Sequence, residues 1–118
     1  MKIILAGPYP DGTKEQFERL LPDHDFISVS DQKVYGEMED GDCVIVRVLK
    51  TPAEVIQAKK NLKAIIRWGV GYDSVDIEAA GKAGIMVANM PGVNAYAVSE
   101  LAVALMLSAG RRGIDQNR

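Results

Sequence analysis

Short apolar runs alternate along this chain with stretches whose apolar residues recur at helical spacing. Lys2–Ala6 (KIILA) is a near-continuous apolar run, the signature of a strand covered on both faces, and Gly7–Gly12 breaks it. Thr13-Lys-Glu-Gln16 then has the spacing of a capping box. Phe17, Leu20 and Leu21 supply an apolar stripe, and Pro22 ends the helix. Phe26–Val29 predicts a second strand, and the polar stretch Asp31–Asp42 a loop or a short helix. Cys43–Val48 (CVIVRV) predicts the third strand. Thr51-Pro-Ala-Glu54 opens the next helix, with threonine as cap, proline at the first helical position and glutamate closing the box.

The pattern then repeats. Ala64–Trp68 predicts the fourth strand, followed by a glycine-bearing turn over Gly69–Asp73. A helix over Val75–Lys82 has Asp73 or Ser74 as its cap and Gly84 just past its end. Ile85–Ala88 predicts the fifth strand, Pro91-Gly92 breaks the chain, and Ala95–Arg112 is a long helix. Five strands joined by helices predict an α/β fold: an open parallel sheet of order 2-1-3-4-5 with helices on both faces.

Composition narrows the function. At 118 residues the chain has room for one ordinary domain, and its 47% apolar and 25% charged residues are the mix of a soluble globular protein. A net charge of −2 gives no general attraction to nucleic acid or to an anionic membrane. The single cysteine, Cys43, cannot form an internal disulfide, and the first apolar run is too short for a signal peptide or a membrane span. The expectation is a soluble cytoplasmic protein with neither nucleic acid nor membrane as partner. Acidic residues are scattered, with no cluster of metal-ligand type.

Candidate chemistry concentrates in Arg67-Trp-Gly-Val-Gly-Tyr-Asp-Ser-Val-Asp76, where the fourth strand turns into a helix. In open α/β sheets ligands bind at this carboxyl edge. Gly69 and Gly71 allow close backbone approach, and successive amides there suit an anion such as a carboxylate. A tight turn that binds nothing fits the same residues. The dinucleotide spacing G-x-G-x-x-G is absent. Arg47, near the end of a buried strand, should emerge at the same edge as Arg67. Two guanidiniums there suit a substrate with two anionic groups, although surface salt bridges would also explain them. His24, the only histidine, reads as a solvated loop residue, and Cys43 as a small core residue. Trp68 and Tyr72 flank the turn as candidate pocket walls.

Leu62–Asp76, Gly84–Asn94 and Ala97–Leu107 followed by Arg111-Arg112 together resemble the D-2-hydroxyacid dehydrogenases, in order and at the family's spacing. Asp42–Val48 and Thr51–Ile56 fit as well, and the first forty residues fit in pattern. Val48, Ser74 and Ser99 depart from the residues usual in the family. The resemblance implies a flavodoxin-like substrate-binding domain over residues 1–94. Residues 95–118 would be the crossover helix and the start of a cofactor-binding domain that is cut off here. It implies that the amides of Val70 and Gly71, beside Gly69, hold the substrate carboxylate, and that Val70 also lies against the nicotinamide of NAD. It implies that Arg47 and Arg67 serve a doubly anionic substrate such as phosphoglycerate. The family's glycine-rich loop, its histidine–glutamate pair and its carboxylate-orienting arginine normally lie farther along, so no catalytic residue is assigned and the chain alone is expected to be inactive.

Two other classes compete. A signalling receiver on the same sheet would need acidic residues after the first strand and at the end of the third, where Gly7-Pro8 and Arg47 stand instead. A catalytically inactive stand-alone binding or interaction module remains open. Finally, Leu101–Leu107 is apolar around nearly its whole circumference. Such a helix must be covered on more than one side, by folding back on its own sheet or, as the favoured expectation, by pairing with the same helix of a second copy into a homodimer.

Overall fold

Five strands, β1 (Lys2–Ala6), β2 (Asp25–Val29), β3 (Cys43–Val46), β4 (Ala64–Arg67) and β5 (Met86–Asn89), form one parallel sheet in the expected order β2-β1-β3-β4-β5. The computed structural model describes residues 1–69, 74–90 and 94–116, with side chains of the last helix described as far as Ser108. The crossovers carry α1 (Thr13–Leu20), α2 (Gln32–Glu37), α3 (Ala53–Ala58) and α4 (Ile77–Lys82), and α5 (Ala95–Gln116) follows β5. Parallel neighbours need such crossovers, and helices on them cover both sides of the sheet.

Strand alternation divides the core in two. Ile4, Val44, Val46 and Ile65 face Tyr35 of α2, Val55 and Ile56 of α3 and Ala80 of α4. Ile3, Leu5, Ile45 and Ile66 face Phe17 of α1 and Ala95, Val98, Ala102 and Met106 of α5. The long helix therefore folds back on its own sheet. The hinge expected over Met90–Asn94 falls partly on residues 91–93, outside the described residues.

Local details correct the sequence reading. β3 stops at Val46 rather than Val48, because Arg47 and Val48 leave the sheet and are exposed. The Arg47 amide still reaches the Ala6 carbonyl at 2.9 Å, the last rung of the ladder. Neither capping box forms. Gly12 takes the cap position of α1, and the Thr13 hydroxyl, already on the helix, donates back to the Pro10 carbonyl at 2.7 Å. Thr51 is buried, with its hydroxyl 2.8 Å from that of Tyr35, while Pro52 caps α3 without a side-chain bond. Thr51 also forms a parallel bridge with Val75, so α4 starts only beyond it. Its cap is Asp76, accepting from the Ala79 amide at 2.9 Å, rather than Ser74; Asp73 lies outside the described residues.

Lys59 is nearly fully buried against α2, with its ammonium donating to the Tyr35 carbonyl at 2.7 Å and standing 4.6 Å from the centre of that ring. Burial penalises the charge and pulls its pKa from 10.5 down to about 8. Because the folded value is the lower one, the unfolded chain holds a proton that the folded chain has lost between these values. Raising the pH through this window therefore favours folding. Buried Cys43, pushed up from 9.0 to about 12, acts in the opposite direction as its unfolded thiol ionises. Comparing the wild type with Lys59→Met isolates the lysine. Urea unfolding at pH 7 and pH 9 should show the wild type gaining about 1 kcal/mol on the variant. A pH-independent difference would contradict the buried placement.

Candidate functional site

Because the strands are parallel and in register, β1, β3 and β4 present their carboxyl ends along one line. Val46 pairs with Arg67, and the ladder continues as the Trp68 amide donates to the Val46 carbonyl at 2.8 Å. Above this line, on the α1/α5 side, lies a cavity of about 630 Å³. Its walls include Tyr9, Arg47, Trp68 and Gly69 at the sheet edge, Arg19 of α1, and Asn94 at the start of α5.

Each wall has a local cause. Gly7 follows β1, and a Cβ there would stand 2.7 Å from the Tyr9 amide nitrogen, so only glycine allows the turn that brings Tyr9 back over the edge. The Tyr9 hydroxyl donates to the Ile45 carbonyl. Burial pushes that phenol well above its ordinary range, against the pull of nearby Arg47, so it stays protonated. The Tyr9 and Trp68 rings lie 5.6 Å apart, and Phe17 meets Trp68 edge-on at 5.8 Å, joining α1 to the end of β4. Gly69 has φ 134°, which L side chains rarely adopt. The Asn94 side-chain oxygen accepts from the Ala97 amide at 3.0 Å and caps α5.

The two arginines singled out from the sequence reach the same edge but different faces. Arg67 shares its register position, and hence its face, with Val46, on the side of α2, α3 and α4, where it is 5% exposed. Arg47, one residue past Val46, turns to the other face, is exposed, lines the cavity, and donates to the Pro8 carbonyl at 3.0 Å. Gly69 lies at the cavity beside Arg47, whereas Val70, Gly71 and Tyr72 fall outside the described residues.

His24 immediately precedes β2, at the opposite, amino edge of the sheet, and is half-buried. Cys43 is fully buried with its thiol pushed up to about 12, so it is a core residue rather than a nucleophile. Tyr9, Arg19 and Asn94 were missed by the sequence reading. For Arg19 a signal existed: Thr13, Gln16 and Arg19 recur at three-residue steps on one helix face, and all three line the cavity. Tyr9 and Asn94 sit beside chain breaks, where periodicity is silent.

Residues 3–112 match the family of the D-isomer specific 2-hydroxyacid dehydrogenase catalytic domain. The chain is 40% identical over 114 residues to the D-3-phosphoglycerate dehydrogenase of Archaeoglobus fulgidus, covering 95% of this chain and 22% of that protein. It is 46% identical over 71 residues to the hydroxypyruvate reductase of Thermotoga maritima, covering 59% of this chain and 23% of that protein. It spans, then, about a fifth of the length of these curated relatives. Among solved structures, the NAD+-bound 3-phosphoglycerate dehydrogenase of Entamoeba histolytica matches with a TM-score of 0.69 at 33% identity, over 78% of this chain and 33% of that one.

The burial difference predicts how the arginines behave. A small effect of Arg67 on stability is expected only if its site is exposed, and at 5% exposure it is not. Arg67→Ala should lower the unfolding free energy by about 2–4 kcal/mol, as truncation of a buried side chain does, and Arg47→Ala by less than about 1 kcal/mol. Urea titration of both variants checks this, and equal losses would contradict the assignment of faces.

Proposed function

This chain belongs to the D-isomer specific 2-hydroxyacid dehydrogenase family, and we propose that it is the substrate-binding part of an NAD-dependent enzyme of that family. In this proposal the substrate is 3-phosphoglycerate or a similar phosphorylated 2-hydroxy acid. Residues 1–94 form the substrate domain, and residues 95–118 form the crossover helix and the start of a cofactor-binding domain. The observation that carries the reading is the cavity at the carboxyl edge, with Arg47 on its wall beside Gly69, the first residue of the glycine turn. That edge is where open α/β sheets take their ligands. A substrate carboxylate would sit on the turn, held by the amides of Val70 and Gly71, with Arg67 at the root of the turn and Arg47 beside Gly69 on the cavity wall. The relatives named for 3-phosphoglycerate support the choice of acid.

The described residues do not make a dinucleotide site. The turn at Gly69 lacks the G-x-G-x-x-G spacing, and by the proposal Val70 alone borders the nicotinamide. NAD, when bound to the whole protein, supplies the hydride acceptor or donor. This chain orients the acid and holds its charge. A proton donor is not among its assigned residues, since His24 stands at the far edge of the sheet.

The protein carries one tryptophan, Trp68, and it lines the cavity, so its emission reports occupancy directly. Titrating the chain with D-3-phosphoglycerate should change that emission saturably, and Arg47→Ala should weaken the response at least about tenfold. The same sample, given NADH and the matching 2-oxo acid, should show no NADH consumption. A flat emission titration would overturn the binding role, and turnover by the pure chain would overturn the division of labour.

A homodimer through Ala95–Arg112 is part of the same proposal. The outer face of α5 leaves Tyr96 and Leu107 exposed beside Leu20 of α1, even with the helix folded on its sheet. Leu107, 68% exposed, is the residue to change. Light scattering should report a dimer for the wild type and a monomer for Leu107→Glu. A wild-type monomer at high micromolar concentration would remove the dimer from the proposal.

A further inference from the structure

Arg47 is carried by the loop between β3 and α3, and that loop is held from outside. It starts at the last rung of the ladder, the Arg47 amide on the Ala6 carbonyl at 2.9 Å, and ends at Thr51, which bridges to Val75. Between these points Leu49 is buried, whereas Arg47, Val48 and Lys50 are exposed. One side chain takes up both backbone groups of Lys50. The Gln32 amide nitrogen donates to the Lys50 carbonyl at 2.8 Å, and the Lys50 amide donates to the Gln32 side-chain oxygen at 2.8 Å. We propose that Gln32 is a positioning residue: it splints the loop that carries Arg47, so that this arginine stands ready at the cavity before the acid arrives. The inference rests on the substrate-binding reading above and adds a residue that acts on the site from outside it.

The topology puts Gln32 within reach. α2 follows β2 and therefore starts at the carboxyl edge, the edge at which the loop leaves β3. Asp31 fixes that first turn by accepting from the Lys33 amide at 2.8 Å and the Val34 amide at 3.2 Å. One turn later on the same helix face, Tyr35 meets Thr51, hydroxyl to hydroxyl at 2.8 Å. Gln32 and Tyr35 thus grip two consecutive residues, Lys50 and Thr51. The two grips differ in burial. Tyr35 and Thr51 are fully buried, so losing their bond leaves a hydroxyl unpaired in the core and costs stability. Gln32 and Lys50 are exposed, so water replaces either of their bonds at small cost to folding. Water does not replace the tie between α2 and the loop.

That tie bears on binding. A loop and its arginine that must be ordered when a ligand arrives lower its affinity, and ordering them in advance removes the loss. The Arg47 guanidinium already rests on the Pro8 carbonyl at 3.0 Å, and Gln32 supplies a restraint at the other end of the loop. A carboxamide offers a donor and an acceptor side by side, whereas an ionised glutamate has no hydrogen for the Lys50 carbonyl.

The test is a double-mutant cycle read by Trp68 emission as D-3-phosphoglycerate is added. Gln32→Ala should bind the acid roughly threefold to tenfold more weakly than the wild type, with its melting temperature unchanged because the residue is exposed. Gln32→Ala combined with Arg47→Ala should bind no more weakly than Arg47→Ala alone, since the loop then presents no arginine. A merely structural Gln32 would weaken both backgrounds by the same factor, and that result would overturn the proposal, as would wild-type affinity in Gln32→Ala. Amide hydrogen exchange gives a second reading that does not depend on binding by the double variant. Val48 and Leu49 should exchange faster in Gln32→Ala, and saturating D-3-phosphoglycerate should slow them again. Exchange that neither the substitution nor the acid alters would also overturn the role of Gln32. In each of these cases the substrate-binding reading stands. If the acid leaves the wild-type emission unchanged, that reading falls and this inference with it.

Discussion

The register of the parallel ladder governs everything else in this molecule. β3 and β4 pair so that Val46 stands opposite Arg67, and side chains alternate faces along each strand. A one-residue slip of β4 against β3 would turn β4 over, sending Arg67 to the cavity side and Ile66 to the side of α2–α4. The register is held because both faces are packed. Ile45 and Ile66 fit only against Phe17 and α5, and Val44 and Ile65 only against Tyr35 and α3. The chemistry of the cavity is therefore set by core packing two or three residues away from it.

The hydrophobic pattern carried the strands, their order and the location of the candidate site, because continuous apolar runs and glycine turns are local signals with strong physical causes. The caps were not legible. Thr13 and Thr51 have capping-box spacing, but a hydroxyl takes whichever partner the tertiary structure offers, the Pro10 carbonyl in one case and the Tyr35 hydroxyl in the other. The face of Arg67 was not legible either, since alternation fixes parity only after one residue's side is known. Arg19 was overlooked because one charged residue on a helix of mixed polarity looks like a solvated face until the neighbouring cavity is seen.

The last helix shows how an all-round apolar segment is resolved. Ala95, Val98, Ala102 and Met106 form the buried stripe, and their small average size lets the helix lie close on β4. Leu101 and Leu105 are half-covered at its margins, while Tyr96 and Leu107 face outward. One sheet face thus satisfies part of the apolar surface, and the remainder is what the proposed second copy would cover. Among the described residues no helix is long and apolar enough to cross a membrane.

The central claim is that the ligand enters at the carboxyl edge, on the α1/α5 side of the sheet. Backbone amide shifts, followed by NMR while D-3-phosphoglycerate is added, test it most directly. The account predicts that the shifted amides cluster at Tyr9, Arg19, Arg47, Trp68 and Gly69. A cluster at the amino edge, around His24, Gly41 and Lys63, or on the outer surface of α2–α4, would contradict it.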